Sequence, residues 1–161
     1  MTKTQTTPAT AADPTVAAGT AQFLTPVVLG LQALTINGKQ AHWHVRGANF
    51  IGVHELIDQI VERVEGWADE AAERIVALGL PVDARLGTIA EKVAPTAVGA
   101  GFAQWDAVVR ALIADIDAVL PDIQAAIEGL DEVDLTSQDI AIGIKEGLEK
   151  DRWFLFAHLA E

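Results

Sequence analysis

The chain has 161 residues, half of them hydrophobic, with no cysteine and a formal net charge of −12. These values are typical of a single globular domain with its own core, and they exclude a disordered chain, disulfides and thiolate metal sites. No uninterrupted apolar run reaches the ~18 residues of a membrane span, and the N-terminus lacks the basic-then-apolar order of a signal peptide. We therefore expect a cytoplasmic protein without a membrane partner.

The first segment, residues 1–18, is rich in Thr and Ala and contains two prolines. We interpret it as a flexible N-terminal tail that precedes a folded domain over residues 19–161. Within this tail, Asp13 before Pro14 could begin one short turn of helix, because proline suits the first helical position.

Two amphipathic helices follow, predicted at residues 20–45 and 50–78, because apolar residues recur there at steps of three and four. Pro26 belongs either in an opening turn of the first helix or at a kink. A turn at residues 45–49, with glycine and asparagine as helix breakers, should fold the second helix back beside the first.

The connection over residues 81–101 is longer than a bundle turn and contains one short helical stretch, LGTIAEKVA. Such a crossover lets the second and third helices run in the same direction. The third helix is predicted at residues 104–128 and the fourth at 137–159, opened by a capping box of Thr136 and Asp139. Because no strand pattern occurs, we predict an all-α four-helix bundle with a long crossover of the ferritin-like kind.

The second helix carries two pairs of potential metal ligands, His54 with Asp58 and Asp69 with Glu73. Residues four apart share a helix face and can hold one ion together. About three turns separate Asp58 from Asp69, so both pairs lie on the same face, roughly 16 Å apart. One ion cannot contact both pairs within one chain, because metal–ligand bonds are about 2–2.5 Å long.

A symmetric dimer would unite the two pairs. If two copies of this helix pack antiparallel about a two-fold axis near residues 63–64, His54 and Asp58 of one chain face Glu73 and Asp69 of the other. A two-fold interface repeats each contact, so the dimer would contain two identical sites. We therefore hypothesise a metal site between subunits; the alternative is that the carboxylates form an ordinary solvated helix face.

His42, in the first helix, would be returned by the turn to a position beside His54, although a lone helical histidine is more often structural. Without cysteine, an ion must be held by imidazole and carboxylate groups, which suit iron, manganese or zinc. These ligands must be deprotonated, so metal uptake should weaken on acidification. The neighbouring Trp43 could donate an electron to a redox metal; core packing is its alternative role.

A hydrolytic function is a further alternative. None of the four histidines follows a glutamate by three residues, so we expect no di-iron centre inside the bundle. The segment from His54 to Asp58, HELID, resembles a zinc-protease HExxH motif that has lost its second histidine, with Glu55 as the general base. A carboxylate and histidine site could also activate water, so a metal-dependent hydrolase is conceivable.

An acidic cluster lies between the third and fourth helices and comprises Asp131, Glu132, Asp134 and Asp139. Such charges are usually solvated loop residues. In a closed shell, the same cluster around a symmetry axis would draw cations into a pore.

Residues 39–74 resemble the Dps family, the ferritin-like DNA-binding proteins from starved cells, through the segments HWHVRGANF, VHELID and DEAAER and their spacing. The resemblance implies a hollow dodecamer of four-helix bundles that oxidises Fe²⁺, preferably with H₂O₂, at two-fold dimer interfaces and stores ferric mineral inside. It also implies pores lined in the region of the acidic cluster. By position, the implied ligands are His42, His54 and Asp58 of one subunit with Asp69 and Glu73 of its mate, and Trp43 lies beside them.

DNA-binding members of this family usually use tails rich in lysine and arginine, whereas this tail offers only Lys3. Twelve copies would carry about −144 by formal charge, and this charge opposes contacts with phosphates. We therefore expect weak or absent DNA binding, with DNA protected chemically by removal of Fe²⁺ and peroxide. The alternative is a DNA-compacting protein in which iron chemistry is secondary.

Overall fold

The computed structural model describes residues 13–160, and five helices account for most of them. They are α1 (Pro14–His44), α2 (Phe50–Ala77), α3 (Leu86–Lys92), α4 (Trp105–Leu130) and α5 (Leu135–Ala157). The four long helices form a bundle in which α1 packs against α2 and α4, and α5 packs against α4 and α2. The short α3 lies in the crossover between α2 and α4, so the predicted bundle is confirmed.

Helix α1 begins at Pro14 rather than near residue 20. The side chain of Asp13 accepts a hydrogen bond from the Thr15 backbone N–H at 2.7 Å and caps the helix, while proline suits the first turn because its missing N–H would be unpaired there. The Asp13–Pro14 pair thus opens a 31-residue helix and not an isolated turn. Residues 14–18 of the predicted tail are therefore helical, and residues 1–12 lie outside the described part of the chain.

Helix α1 is also long and apolar enough, by length and composition, to cross a membrane. Half of the stretch concerned is buried inside the bundle, where Leu24, Val28 and Leu31 belong to the core. A helix that is apolar on several sides is typical of a bundle core as well, and the burial of these side chains accounts for its composition. Pro26 lies within this helix and not in its opening turn.

A short parallel β pair joins the crossover to the turn between α1 and α2. Strand β1 (Val45–Arg46) pairs with β2 (Ala103–Gln104), with Val45 opposite Ala103. This pair corrects the expectation of a chain without strands. Two-residue strands are too short to produce an alternating pattern, so the sequence held no signal for them.

Helix α5 is capped by Asp134 and not by the predicted capping box of Thr136 and Asp139. The Asp134 carboxylate accepts a hydrogen bond from the Ser137 backbone N–H at 3.1 Å. It also accepts one from the Arg74 guanidinium of α2 at 2.6 Å. This second partner, distant in sequence, favours the earlier cap.

Candidate metal centre

Two histidines are locked together where the end of α1 meets the start of α2. The Nδ1 atom of His42 donates to the His54 carbonyl oxygen at 3.0 Å, and the Nδ1 atom of His54 donates to the His42 carbonyl oxygen at 2.9 Å. Their rings stack with centroids 3.7 Å apart. A carbonyl oxygen can only accept, so the proton must be on Nδ1 of each ring. In the neutral rings, both Nε2 lone pairs are then free to bind a metal ion.

Asp58 lies one helical turn after His54, and its Oδ1 atom is 3.9 Å from His42 Nδ1. The carboxylate accepts a hydrogen bond from the Lys39 ammonium group of α1. This hydrogen bond is the largest cause that lowers the pKa of Asp58; desolvation opposes it, and the positive charge of the lysine adds to the lowering. One chain therefore has a pair of stacked imidazoles and, one helical turn from His54, an ionised carboxylate that is bound by a lysine.

Two glycines let α1 and α2 approach closely enough to build this arrangement. A Cβ atom at Gly38 would lie 2.6 Å from Val61 Cγ2, so only glycine allows the helices to pack at this level. Gly47 has a φ of +112° in the turn that reverses the chain, a conformation that residues with a Cβ rarely adopt. The turn predicted at residues 45–49 is present and returns His54 to His42, as expected.

Asp69 and Glu73 lie on the exposed side of α2, farther along the helix. Within one chain they are not close to the histidines. Among residues 13–160, no three His, Asp or Glu side chains of a single chain are arranged to hold a metal ion. The donors near His42 and the acidic pair near Glu73 are thus each short of a complete coordination sphere.

Two further side chains border the histidine pair. Trp43 is 64% exposed at the end of α1, so core packing does not explain its position.

Lys39, which donates to Asp58, was not among the residues predicted for the site. The available signal was its spacing, three residues before His42 and therefore on the same face of α1.

The acidic residues assigned to a pore differ in their surroundings. Asp134 is half-buried; burial disfavours its charge, but the hydrogen bonds from Ser137 and Arg74 outweigh this effect and lower its pKa. Its carboxylate is therefore already bound to structural partners. The other three carboxylates of the cluster are exposed: Asp131, Glu132 and Asp139.

Glu55, the proposed base of the broken HExxH motif, lies in a different place from the histidine pair. It lines a shallow pocket of about 380 Å³ together with Gln59, Phe154 and His158. The motif's glutamate therefore borders the contact between α2 and the end of α5.

Comparison with known proteins agrees with this architecture. A family model described as a ferritin-like domain matches residues 30–161. The DNA protection during starvation protein of Mycolicibacterium smegmatis is 41% identical over an alignment 131 positions long, which covers 75% of this chain and 66%, just under two thirds, of that protein. The protein of the same name from Agrobacterium fabrum is 34% identical over 129 residues, 80% of each chain.

Solved structures give the same relationship at higher coverage. The structure of Dps from Microbacterium arborescens in the high iron form is 67% identical, with a TM-score of 0.91, and the match covers 93% of this chain and 98% of that one. A Mycobacterium smegmatis Dps structure is 36% identical, with a TM-score of 0.87, and covers 94% and 93% respectively. The chain therefore belongs to the Dps family of ferritin-like proteins.

Proposed function

We propose that this protein is a cytoplasmic ferroxidase of the Dps type, which oxidises Fe²⁺, preferably with H₂O₂, between two-fold-related subunits and stores ferric iron in a dodecameric shell. The observation that carries this proposal is the histidine pair. Both Nδ1 atoms are occupied by carbonyl groups, so both Nε2 atoms are left to bind a metal ion, with Asp58 one helical turn after His54. Asp69 and Glu73, exposed on the same helix, would complete the site from a second subunit.

The donor set suits the proposed substrate. Carboxylates favour the harder Fe³⁺ product, while neutral imidazoles bind Fe²⁺ well, so the mixed site favours oxidation. Two Fe²⁺ ions would each supply one electron to the O–O bond of H₂O₂, which breaks, and its oxygens take up two protons and leave as water. Where only one Fe²⁺ is bound, the exposed Trp43 would supply the second electron that H₂O₂ requires. Zinc and manganese suit the same donors and should compete with iron.

One experiment distinguishes the ferroxidase proposal from the DNA-compacting and hydrolase alternatives. Anaerobic addition of Fe²⁺ followed by H₂O₂, recorded by ultraviolet absorbance, should give rapid formation of ferric iron that remains in the protein fraction after gel filtration. A DNA-compacting protein with secondary iron chemistry or a hydrolase would give oxidation no faster than Fe²⁺ and H₂O₂ without protein. That result would contradict the proposal.

Lys39 should act as an internal competitor for iron at this site. Its ammonium group occupies Oδ1 of Asp58 and places a positive charge beside any cation that binds this carboxylate. In Lys39→Met the pKa of Asp58 should rise toward its ordinary value of about 3.9, so the carboxylate stays ionised at neutral pH. We expect about three- to tenfold tighter anaerobic Fe²⁺ binding in a calorimeter, because like-charge repulsion is removed. Lys150→Met, an exposed charge change on α5, is the control; equal effects would contradict a local role for Lys39.

The carboxylates of the 131–139 cluster would attract Fe²⁺ to a pore of the shell. Of the four, Asp131, Glu132 and Asp139 are exposed, whereas Asp134 would act mainly by holding the start of α5. These carboxylates should increase the rate of iron uptake, because their negative potential attracts Fe²⁺. The increase should become smaller as the salt concentration rises, because salt screens that potential.

DNA binding should be weak or absent. The net charge of −12 per chain opposes phosphate contacts, and no gel shift of duplex DNA is expected at ~150 mM salt without added divalent metal. A variant with Thr2→Lys, Thr4→Lys and Thr6→Lys should shift DNA at lower salt and serves as the positive control. A clear shift by the unmodified protein would contradict this expectation and favour the DNA-compacting alternative.

A further inference from the structure

A groove of about 640 Å³ lies between α1, α4 and the chain segment that follows α3. It is on a different side of α1 from the histidine pair, which faces α2. Its floor is apolar and includes Leu29, Leu34 and Val119. A volume of this size is typical of sites for small organic molecules, and the iron chemistry proposed above does not use it.

The groove contains a buried carboxylate for which the described part of the chain supplies no cationic partner. Asp115 of α4 is only 8% exposed and lines the groove. It accepts hydrogen bonds from the Thr96 hydroxyl and from the Ala97 backbone N–H, the latter at 2.8 Å. Both donors are neutral, and among residues 13–160 no Lys, Arg or His lies within ion-pair distance of Asp115. Buried carboxylates are normally compensated by a positive charge.

The remaining charges around the groove favour a ligand with a single positive charge. Asp122 lies on the same wall, and Lys92, at the end of α3, is the one basic residue that the described residues contribute to the lining. The two carboxylates exceed the single ammonium group by one negative charge. A monocation would neutralise that excess, whereas an anion would meet Asp115 and Asp122.

We propose that this groove binds a small primary amine with an apolar body. Its ammonium group pairs with Asp115, and its alkyl or aryl part packs on Leu29, Leu34 and Val119. The hydrogen bonds from two uncharged donors, the Thr96 hydroxyl and the Ala97 backbone N–H, hold the carboxylate in place for this contact. Lys92 disfavours diamines, because a second ammonium group would approach its side chain.

The test compares 2-phenylethylamine with 2-phenylethanol, which has the same body without the charge, by calorimetry and ligand-observed NMR on the assembled protein. The amine should bind saturably and about tenfold more tightly than the alcohol, as expected for a charge-assisted contact. Asp115→Asn should remove this preference, whereas Asp106→Asn, the same charge change on α4 outside the groove, should keep it.

Two further variants keep the test decisive if Asp115→Asn loosens the crossover. Ala118→Phe, which fills the groove and leaves Asp115 intact, should abolish binding of both molecules. Lys92→Met should tighten amine binding about two- to threefold and leave the alcohol unchanged. The proposal is overturned if the amine does not bind, if the two molecules bind equally, or if amine binding survives Ala118→Phe. Iron oxidation should be unchanged in all these variants, so failure here is distinguishable from failure of the ferroxidase proposal.

Discussion

Two variants that each lack one half of the proposed iron site should be inactive separately and should recover activity when assembled together. The first variant combines His54→Ala with Asp58→Ala, and the second combines Asp69→Ala with Glu73→Ala. Each homo-oligomer has only incomplete sites, so fast H₂O₂-dependent oxidation should fall by about 100-fold or more. In a mixed dimer, one of the two sites contains both intact halves.

Co-refolding the two variants in equal amounts should therefore restore about a quarter of the wild-type sites, since half of the dimers are mixed and each has one complete site. Stopped-flow absorbance after anaerobic Fe²⁺ loading measures the amplitude of the fast phase. Gel filtration checks that all samples assemble, and Glu55→Ala, a nearby exposed carboxylate on α2, should retain the wild-type rate. A mixture as inactive as its two components would show that the site is not shared between subunits.

Replacement of Arg63 by Met should cause a large loss of stability, because it removes the ion pair between this partly exposed arginine and a buried aspartate. Its guanidinium donates two hydrogen bonds to Asp151 of α5, at 2.6 and 3.2 Å. The Asp151 side chain is only 2% exposed, so losing the arginine leaves a buried charge without a partner. We expect a loss of about 3 kcal/mol, measured as a shift of the thermal midpoint of the assembled protein at fixed concentration.

A neighbouring ion pair supplies the control. Arg152 donates to Asp117 at 2.5 and 2.9 Å, but both side chains are more than a third exposed. Arg152→Met should therefore cost less than about 1 kcal/mol. Adding Asp151→Leu to Arg63→Met should recover most of the lost stability, because no buried charge is left unpaired. Equal shifts for the two arginine variants would refute the role assigned to burial.

The helical bundle could be predicted from the sequence because each long helix has a local signal. Apolar residues recur with the period of a helix, and Gly79 and Pro81 follow the end of α2. The predicted boundary near residue 20 was wrong because the stretch before it lacks a strong apolar stripe, while the Asp13 cap acts locally to start the helix at Pro14. Trp153 of α5 is 62% exposed, since the hydrophobicity of one residue does not determine which face it occupies.

The donor residues of the candidate site were also predictable, because four-residue spacing on a helix is a local property. The reciprocal bonds between His42 and His54 were not, since they depend on how closely two helices approach at Gly38. The same holds for Lys39, whose partner Asp58 is in the next helix. Whether Asp69 and Glu73 complete this site stays a prediction that the mixed-assembly experiment decides.

The sequence by itself determined the helical class, the crossover and the positions of the histidines and carboxylates, because helix periodicity and turn chemistry act over a few residues. Only the tertiary structure decided which atoms of those side chains are free. It fixed the histidine tautomers, placed a lysine on Asp58 and left Asp115 buried with no cation from residues 13–160 beside it. These features depend on contacts between residues 12 to 19 positions apart, or on the absence of a cationic contact among the described residues, and packing alone brings those residues together.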